Sequence, residues 1–348
     1  MTEKPATFFG GVATRYAMIG ALAVAAVLAA SYAWVARTPP QQPAGLPEPV
    51  TIAVNSRYTG TGLVFVAHAK GYFAKEGLNV TLLPYTTGKD ALDVALEGRA
   101  NLATVADIPI MFAVTKGEPV SVIATIATVE KDPGIIGRKD KGILTLASLR
   151  GKRIGVTLGT SGHFVLDAFL IRQQLSTDDV TLRDLQPQEL ADALLQGDVD
   201  AVAIWEPYLG ALRAQLGANG MIFYSEGIYE LPFTIAGTRD YVVSHPETIQ
   251  KLLRALVGAE RFYREELDAA RQIIAGAINE RLENLQEVWP TYRFDVALNQ
   301  SLLLVLEDET RWAIKNKLTA RPDMPNYLNY LYLDGLKTVK PEAVTVIH

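Results

Sequence analysis

Short apolar runs alternate with amphipathic stretches of helix length from Val50 onward. The first cycle reads VTIAV, LVFVAHAKGYFAKEG, NVTLLPY, KDALDVALEG and ANLATV. Apolar runs of strand length, separated by stretches with helical periodicity, are typical of βαβ units and their parallel sheets. The pattern therefore predicts an α/β fold for the chain from Val50 onward.

The same order of elements returns later in the chain. It reads RIGVTL, HFVLDAFLIRQQL, VTLRDL, QELADALLQG and DAVAIW. Aligning the two cycles sets Gly98 opposite Gly197 and Asp107 opposite Glu206. We interpret the chain as a divergent duplication of one βαβαβ unit, which predicts two similar lobes.

The N-terminus differs from the rest of the chain. Residues 17–36 carry no charge and are long enough to cross a bilayer, and Lys4 and Arg15 precede them. This pattern predicts either a retained transmembrane anchor or a cleaved signal peptide, with residues 1–16 in the cytoplasm. Residues 37–49 are proline-rich and predict a linker. We expect the body in the periplasm or on the outer face of the cytoplasmic membrane.

Composition narrows the chemistry that the chain can perform. The net charge is −5 and no run of Lys and Arg occurs, which argues against a nucleic-acid partner. The absence of cysteine excludes thiol catalysis, disulfides and cysteine-ligated metal, and the 4 histidines are scattered. The glycine-rich motifs that cradle nucleotide phosphates are missing as well. We therefore expect neither a metal nor a cofactor.

In each cycle, a loop rich in glycine and hydroxyl side chains joins the first strand to the following helix. The loops are NSRYTGTG, at residues 55–62, and GTSG, at residues 159–162. Unpaired N–H groups at a helix start attract an anion or a polar oxygen, which favours a binding role. The alternative is that Thr160 or Ser161 only caps its own helix.

Two acids follow apolar strands at equivalent positions of the two cycles. Ligands of parallel α/β sheets gather beyond the carboxyl ends of the strands, so we expect Asp107 and Glu206 to face a shared crevice. Each acid precedes a proline by one or two residues. The alternative is that each one caps a helix or a turn before its proline.

Five segments of the chain resemble, in order and spacing, a known family of binding proteins. They are AHAKGYFAKEGLNV, LRGKRIGVTLGTSGHF, DVDAVAIWEPY, IAGTRDYVVSHPE and YLDGLKTVKPEAVTVI. The chain resembles type 2 periplasmic substrate-binding proteins of the nitrate, sulfonate and taurine group (NMT1/THI5-like). The resemblance implies two α/β lobes with a hinge between them, a solute held in the cleft, and delivery to an ABC permease and its ATPase. It places lobe 1 at residues 50–137 and 237–348 and lobe 2 at residues 138–236.

The resemblance also assigns the pocket loops. The implied ligand-binding residues are Arg57, Tyr58, Thr59, Thr87, Gly88, Thr104, Ala106 and Asp107 in lobe 1, and Gly159, Thr160, Ser161, His163, Trp205 and Glu206 in lobe 2. Trp205 could form an apolar wall, or be an ordinary core aromatic. Arg57 could pair with an oxyanion, or be a solvated surface side chain.

The predicted pocket contains conflicting charges. Helix-start donors and Arg57 favour an anion, whereas Asp107 and Glu206 repel one. A zwitterion such as a taurine-like sulfonate, or an amine-bearing pyrimidine, reconciles the two, and nitrate fits less well. We expect a binding protein that is not an enzyme. The alternatives are a membrane-anchored ligand sensor and an enzyme on the same fold, such as a pyrimidine synthase, whose cysteine-rich iron motif is missing here.

Overall fold

The computed structural model describes residues 46–347. The predicted cytoplasmic residues 1–16, the anchor or signal peptide at residues 17–36 and most of the linker at residues 37–49 lie outside this range and stay predictions. Within residues 46–347, no helix has both the length and the apolar character needed to cross a membrane.

The described chain contains β-strands and α-helices that alternate through most of its length. The strands are β1 (Glu48–Asn55), β2 (Leu78–Tyr85), β3 (Leu102–Ala106), β4 (Val120–Val129), β5 (Gly134–Arg138), β6 (Arg153–Val156), β7 (Thr181–Asp184), β8 (Ala201–Ile204), β9 (Gly220–Tyr224), β10 (Leu231–Thr238) and β11 (Tyr292–Arg293). The helices are α1 (Gly62–Ala69), α2 (Tyr72–Lys75), α3 (Gly88–Leu96), α4 (Asp107–Lys116), α5 (Ser161–Arg172), α6 (Pro187–Gln196), α7 (Tyr208–Leu216), α8 (Arg239–Ser244), α9 (Pro246–Glu265), α10 (Leu267–Ala277), α11 (Leu282–Leu285), α12 (Gln300–Lys315) and α13 (Leu333–Val339). The predicted α/β class is confirmed.

The strands form two mixed sheets. The first has the order β11-β4-β10-β3-β1-β2, and the second has the order β7-β6-β8-β5-β9. Each sheet contains a parallel trio, β2-β1-β3 in the first and β7-β6-β8 in the second, with antiparallel strands beside it. The two trios match the two sequence cycles, and their loops at the carboxyl ends of the strands carry the predicted binding residues.

The chain passes between the sheets twice. It leaves the first sheet between Val129 and Gly134 and returns between Tyr224 and Leu231. Both crossings come several residues before the expected positions near 137 and 237. The difference arises because β5 pairs with β8 and β9 in the second sheet, whereas β10 pairs with β3 and β4 in the first. The division into lobes itself stays a prediction.

The helices after β10 pack against the first sheet and its helices. Helix α9 contacts α1 and α13, and α12 contacts α4. Helix α12 also contacts α5, which follows β6 of the second sheet. The Trp312 indole Nε1 donates to Asp167 Oδ2 at 2.9 Å. The Trp312 ring lies edge-on to Phe164, with ring centroids 5.2 Å apart. This contact joins α12 to the first two turns of α5.

Candidate functional site

A cavity lies where the loops after β1, β2 and β3 meet the loops after β6 and β8. It is lined by Asn55, Tyr58, Thr87, Gly88, Lys89, Ala106, Pro109, Thr160, Ser161, Trp205, Leu231 and Phe233. Both sheets therefore contribute to one cavity at the carboxyl ends of their parallel strands, where ligands of such sheets bind.

Two helices begin at this cavity, one after a strand of the first sheet and one after a strand of the second sheet. Helix α3 begins at Gly88, and the Thr87 hydroxyl accepts from the Asp90 N–H at 3.0 Å. Helix α5 begins at Ser161, and within the described chain no side chain caps it. The Thr160 hydroxyl instead donates to the Thr157 carbonyl at 2.7 Å. The capping alternative for Thr160 is therefore not what the structure shows, and the start of α5 keeps free donors and its positive dipole end.

The lining also contains apolar and aromatic side chains. The Tyr58 and Phe233 rings pack with centroids 4.7 Å apart, and Leu231 is on the lining as well. Trp205 is 7% exposed, and its indole Nε1 has no hydrogen-bond partner among the described residues. The cavity thus combines helix starts with aromatic surface that suits a short carbon chain.

Asp107 does not line the cavity. It is fully buried, and the Tyr229 hydroxyl donates to its carboxylate at 2.5 Å. The carboxyl of Glu309, on α12, lies 3.5 Å from the same hydroxyl, and Ser161 Oγ lies 3.4 Å from Asp107 Oδ1. Burial raises the pKa of Asp107 to about 6, and burial together with the Asp107 charge raises the pKa of Glu309 well above its ordinary value. The expectation that Asp107 faces the crevice is corrected, because Asp107 is held in a buried acid pair.

Glu206 is also directed away from the cavity. Its Oε2 accepts from the Gly210 N–H at 2.9 Å, in the first turn of α7, and its own N–H donates to Asp132 Oδ1 at 3.0 Å. Burial raises the pKa of Glu206 to about 7, and burial followed by the Glu206 charge raises the pKa of Asp132 to about 8. The capping alternative for Glu206 therefore describes the geometry better than the amine-binding role, although the helix that it caps begins after Pro207 and not before it.

The structure divides the predicted binding residues into two groups. Those on the cavity lining are Tyr58, Thr87, Gly88, Ala106, Thr160, Ser161 and Trp205, and those off it are Arg57, Thr59, Thr104, Asp107, Gly159, His163 and Glu206. Arg57 is exposed. Burial lowers the pKa of His163, and its ring packs edge-on against Trp312 at 5.2 Å. Thr104 is buried, and its hydroxyl accepts from the Asn55 N–H at 3.0 Å.

Sequence reasoning missed several lining residues, namely Asn55, Lys89, Pro109, Leu231 and Phe233. Lys89 directly follows the predicted binding residues Thr87 and Gly88. Its position in the first turn of a helix that begins at the cavity is the sequence signal that could have identified it as a lining residue. Leu231 and Phe233 were assigned to lobe 2, and no local pattern shows that their strand belongs to the first sheet.

Comparisons with known proteins agree with this architecture. A family model described as "NMT1/THI5 like" matches residues 59–268. A Bacillus subtilis (strain 168) protein named "Putative aliphatic sulfonates-binding protein" is 30% identical over 215 residues, which cover 60% of this chain and 64% of the relative. The chain therefore aligns with less than two thirds of that relative's length.

Two further comparisons bear on fold and chemistry. The structure titled as the alkanesulfonate-binding protein SsuA from Xanthomonas axonopodis pv. citri bound to MOPS superposes with a TM-score of 0.72. It is 19% identical, covers 83% of this chain and 99% of that chain, and so establishes the fold alone. An Aspergillus parasiticus 4-amino-5-hydroxymethyl-2-methylpyrimidine phosphate synthase is 26% identical over 221 residues, covering 60% of this chain and 64% of that protein.

Proposed function

The chain belongs to the NMT1/THI5-like family, and on that premise we propose that it is an extracytoplasmic solute-binding protein for a small organic sulfonate. The observation that carries the proposal is the convergence of two helix starts on one cavity, one following the first sheet and the other following the second sheet. Backbone donors and helix dipoles at such starts stabilise a compact oxyanion. The aromatic side of the cavity accommodates the carbon chain of the sulfonate.

The positions of the acids remove the conflict in the predicted charges. Neither Asp107 nor Glu206 lies on the cavity lining, so an anion at the helix starts meets no carboxylate there among the described residues. The solute therefore needs no amino group to neutralise Asp107 and Glu206. A sulfonate without an amino group then fits better than a zwitterion.

Transport would follow from closure of the two predicted lobes on the solute. A solute that contacts both Thr87 and Ser161 binds the closed form better than an open one, and so shifts the population toward closure. The segments between Val129 and Gly134 and between Tyr224 and Leu231 are where the hinge would bend. The closed form would deliver the solute to an ABC permease and its ATPase, with residues 17–36 as an anchor if they are not cleaved.

The test removes one helix-start donor without removing the helix. Proline is well tolerated at the first position of a helix, and Thr160 before it is already extended, with φ −117° and ψ 170°. Ser161→Pro should weaken the binding of propane-1-sulfonate to the full chain roughly 10-fold in titration calorimetry, because one backbone donor to a charged group is lost. Ser161→Ala is the matched control, since it keeps the N–H, and should stay within roughly 3-fold of wild type.

Two results would contradict the proposal. One is the absence of binding of any short alkanesulfonate to folded wild-type protein, and the other is equal binding by Ser161→Pro and Ser161→Ala. Conversion of the sulfonate to another product would favour the enzyme alternative, to which the relative named a pyrimidine phosphate synthase draws attention. Normal sulfonate uptake by cells that lack the protein would favour the sensor alternative.

A further inference from the structure

Lys89 is the single charged side chain on the cavity lining within residues 46–347. It lies in the first turn of α3, directly after Thr87 and Gly88. Lys89 and Pro109 also line an adjoining outer cavity, whose walls include Asp93 and Lys116. Lys89 therefore stands at the boundary between the two cavities.

The ammonium group of Lys89 forms a partly exposed ion pair with Asp93, and the carboxylates of Asp90 and Asp184 attract it as well. Its Nζ lies 2.9 Å from Asp93 Oδ2, and the two side chains are 41% and 50% exposed. Exposed pairs of this kind contribute little, because water and salt screen them. The flexible four-carbon stem of a lysine allows Nζ to leave Asp93 and reach an anion in the inner cavity.

An ammonium group on the solute would find no acid on the lining of the inner cavity, where Asp107 lies behind Ser161, 3.4 Å from its Oγ. The carboxyl groups of Asp107 and Glu206 are both engaged away from it, the first by Tyr229 and the second by the Gly210 N–H. A solute ammonium would meet the like charge of Lys89 instead, and an unpaired charge in a closed cavity is costly. The chemistry of the lining therefore discriminates by net charge.

We infer that Lys89 makes the cavity selective for sulfonates of net charge −1 over zwitterionic aminosulfonates of the same size. The inference rests on the proposed function and names the residue that sets its specificity. Lys89 binds the sulfonate oxygens from the outer side while the starts of α3 and α5 bind them from the inner side. Selectivity arises because the anion gains this contact without bringing an ammonium into the cavity.

The experiment compares two solutes of nearly equal shape, propane-1-sulfonate and taurine, by titration calorimetry on the full chain. Wild type should bind propane-1-sulfonate more tightly. Lys89→Met should weaken propane-1-sulfonate roughly 10-fold and taurine much less, since taurine loses repulsion as well as attraction. Lys89→Arg keeps the charge and should keep the preference. Lys116→Met, which removes a lysine from the outer cavity alone, is the matched control and should change neither affinity.

The outcomes separate this inference from the proposed function. If wild type binds both sulfonates and Lys89→Met leaves the ratio of their affinities unchanged, the role of Lys89 is wrong while sulfonate binding stands. If wild type prefers taurine, the inference is also wrong. If folded wild type binds neither, the proposed function fails and the inference with it. A preference that declines with added salt in wild type, but not in Lys89→Met, supports the inference further.

Discussion

Two buried acid pairs lie near the two crossings between the sheets, and they are held in different ways. Asp132, on the first crossing, accepts from a backbone N–H, that of Glu206, and from the Tyr292 hydroxyl at 3.3 Å. Asp107 accepts from Tyr229, on the second crossing, at 2.5 Å, with Glu309 beside it. Each acid also accepts one backbone N–H, that of Glu206 for Asp132 and that of Ile108 for Asp107, at 3.0 and 2.9 Å. The second pair differs in bringing together side chains from three separate parts of the chain.

The tyrosine contacts of the two pairs differ as well. The Tyr229 hydroxyl lies 2.5 Å from Asp107, whereas the Tyr292 hydroxyl lies 3.3 Å from Asp132. Burial raises the pKa of Asp107 to about 6, and burial with the Glu206 charge raises that of Asp132 to about 8, so Asp107 ionises at the lower pH. A hydrogen bond to an ionised acceptor is stronger than one to a neutral acceptor. The pair near the second crossing therefore contains the stronger tyrosine contact, and the comparison can be tested with matched tyrosine variants.

The largest expected effect is that of Tyr229→Phe. Removing this hydroxyl takes the shortest of the side-chain donors from a buried carboxyl, which keeps the Ile108 N–H, and should lower the free energy of unfolding at pH 7 by about 2 kcal/mol. Tyr292→Phe removes a longer bond, of 3.3 Å, and should cost about 1 kcal/mol or less. Urea denaturation followed by circular dichroism measures both. Equal losses for the two variants would show that the two pairs do not differ in the way described.

An intermediate effect is expected from pH. All of these acids have raised pKa values in the folded protein, so their contribution is complete below the ordinary carboxyl range and is lost as pH rises toward the folded values. The free energy of unfolding should therefore fall between about pH 4 and about pH 8, the pKa of Asp132. Asp132→Asn should flatten the part of this fall above about pH 6, the pKa of Asp107.

The control for the pH experiment is Asp268→Asn, which alters an exposed acid of α10. Its stability profile should run parallel to that of wild type from pH 4 to pH 8. A profile of Asp132→Asn that also runs parallel to wild type would contradict the buried, protonated state of Asp132 at neutral pH.

The smallest effects are expected on solute binding. Glu206→Gln should leave the affinity for propane-1-sulfonate within roughly 2-fold of wild type, because this side chain faces Gly210. Asp107→Asn should change it by roughly 3-fold, since Asp107 lies next to Ser161 of the cavity lining. Calorimetry on the two variants compares the pairs directly. A large loss of taurine affinity in Glu206→Gln would restore the amine-binding role predicted from the sequence.

The sequence predicted the elements better than the directions of their side chains. The two cycles located the parallel trios and began the two helices at Lys89 and His163, close to the observed starts at Gly88 and Ser161, because periodicity and turn residues are local signals. The buried pairs could not be predicted, since Tyr229 and Glu309 approach Asp107 only in the folded chain. Whether an acid after a strand faces a cleft or a core depends on such distant partners. The same limit applies to β10, because its pairing with β3 and β4 joins residues that are distant in the sequence.

The contact between Trp312 and Asp167 has a consequence for kinetics. The first residue of α5, Ser161, lines the cavity. Asp167, about 9 Å further along the helix axis, accepts the hydrogen bond from Trp312 of α12. The solute cavity and the Trp312–Asp167 bond therefore lie on one continuous helix. We expect a change at that bond to alter the rate at which a bound solute leaves, although the solute does not touch it.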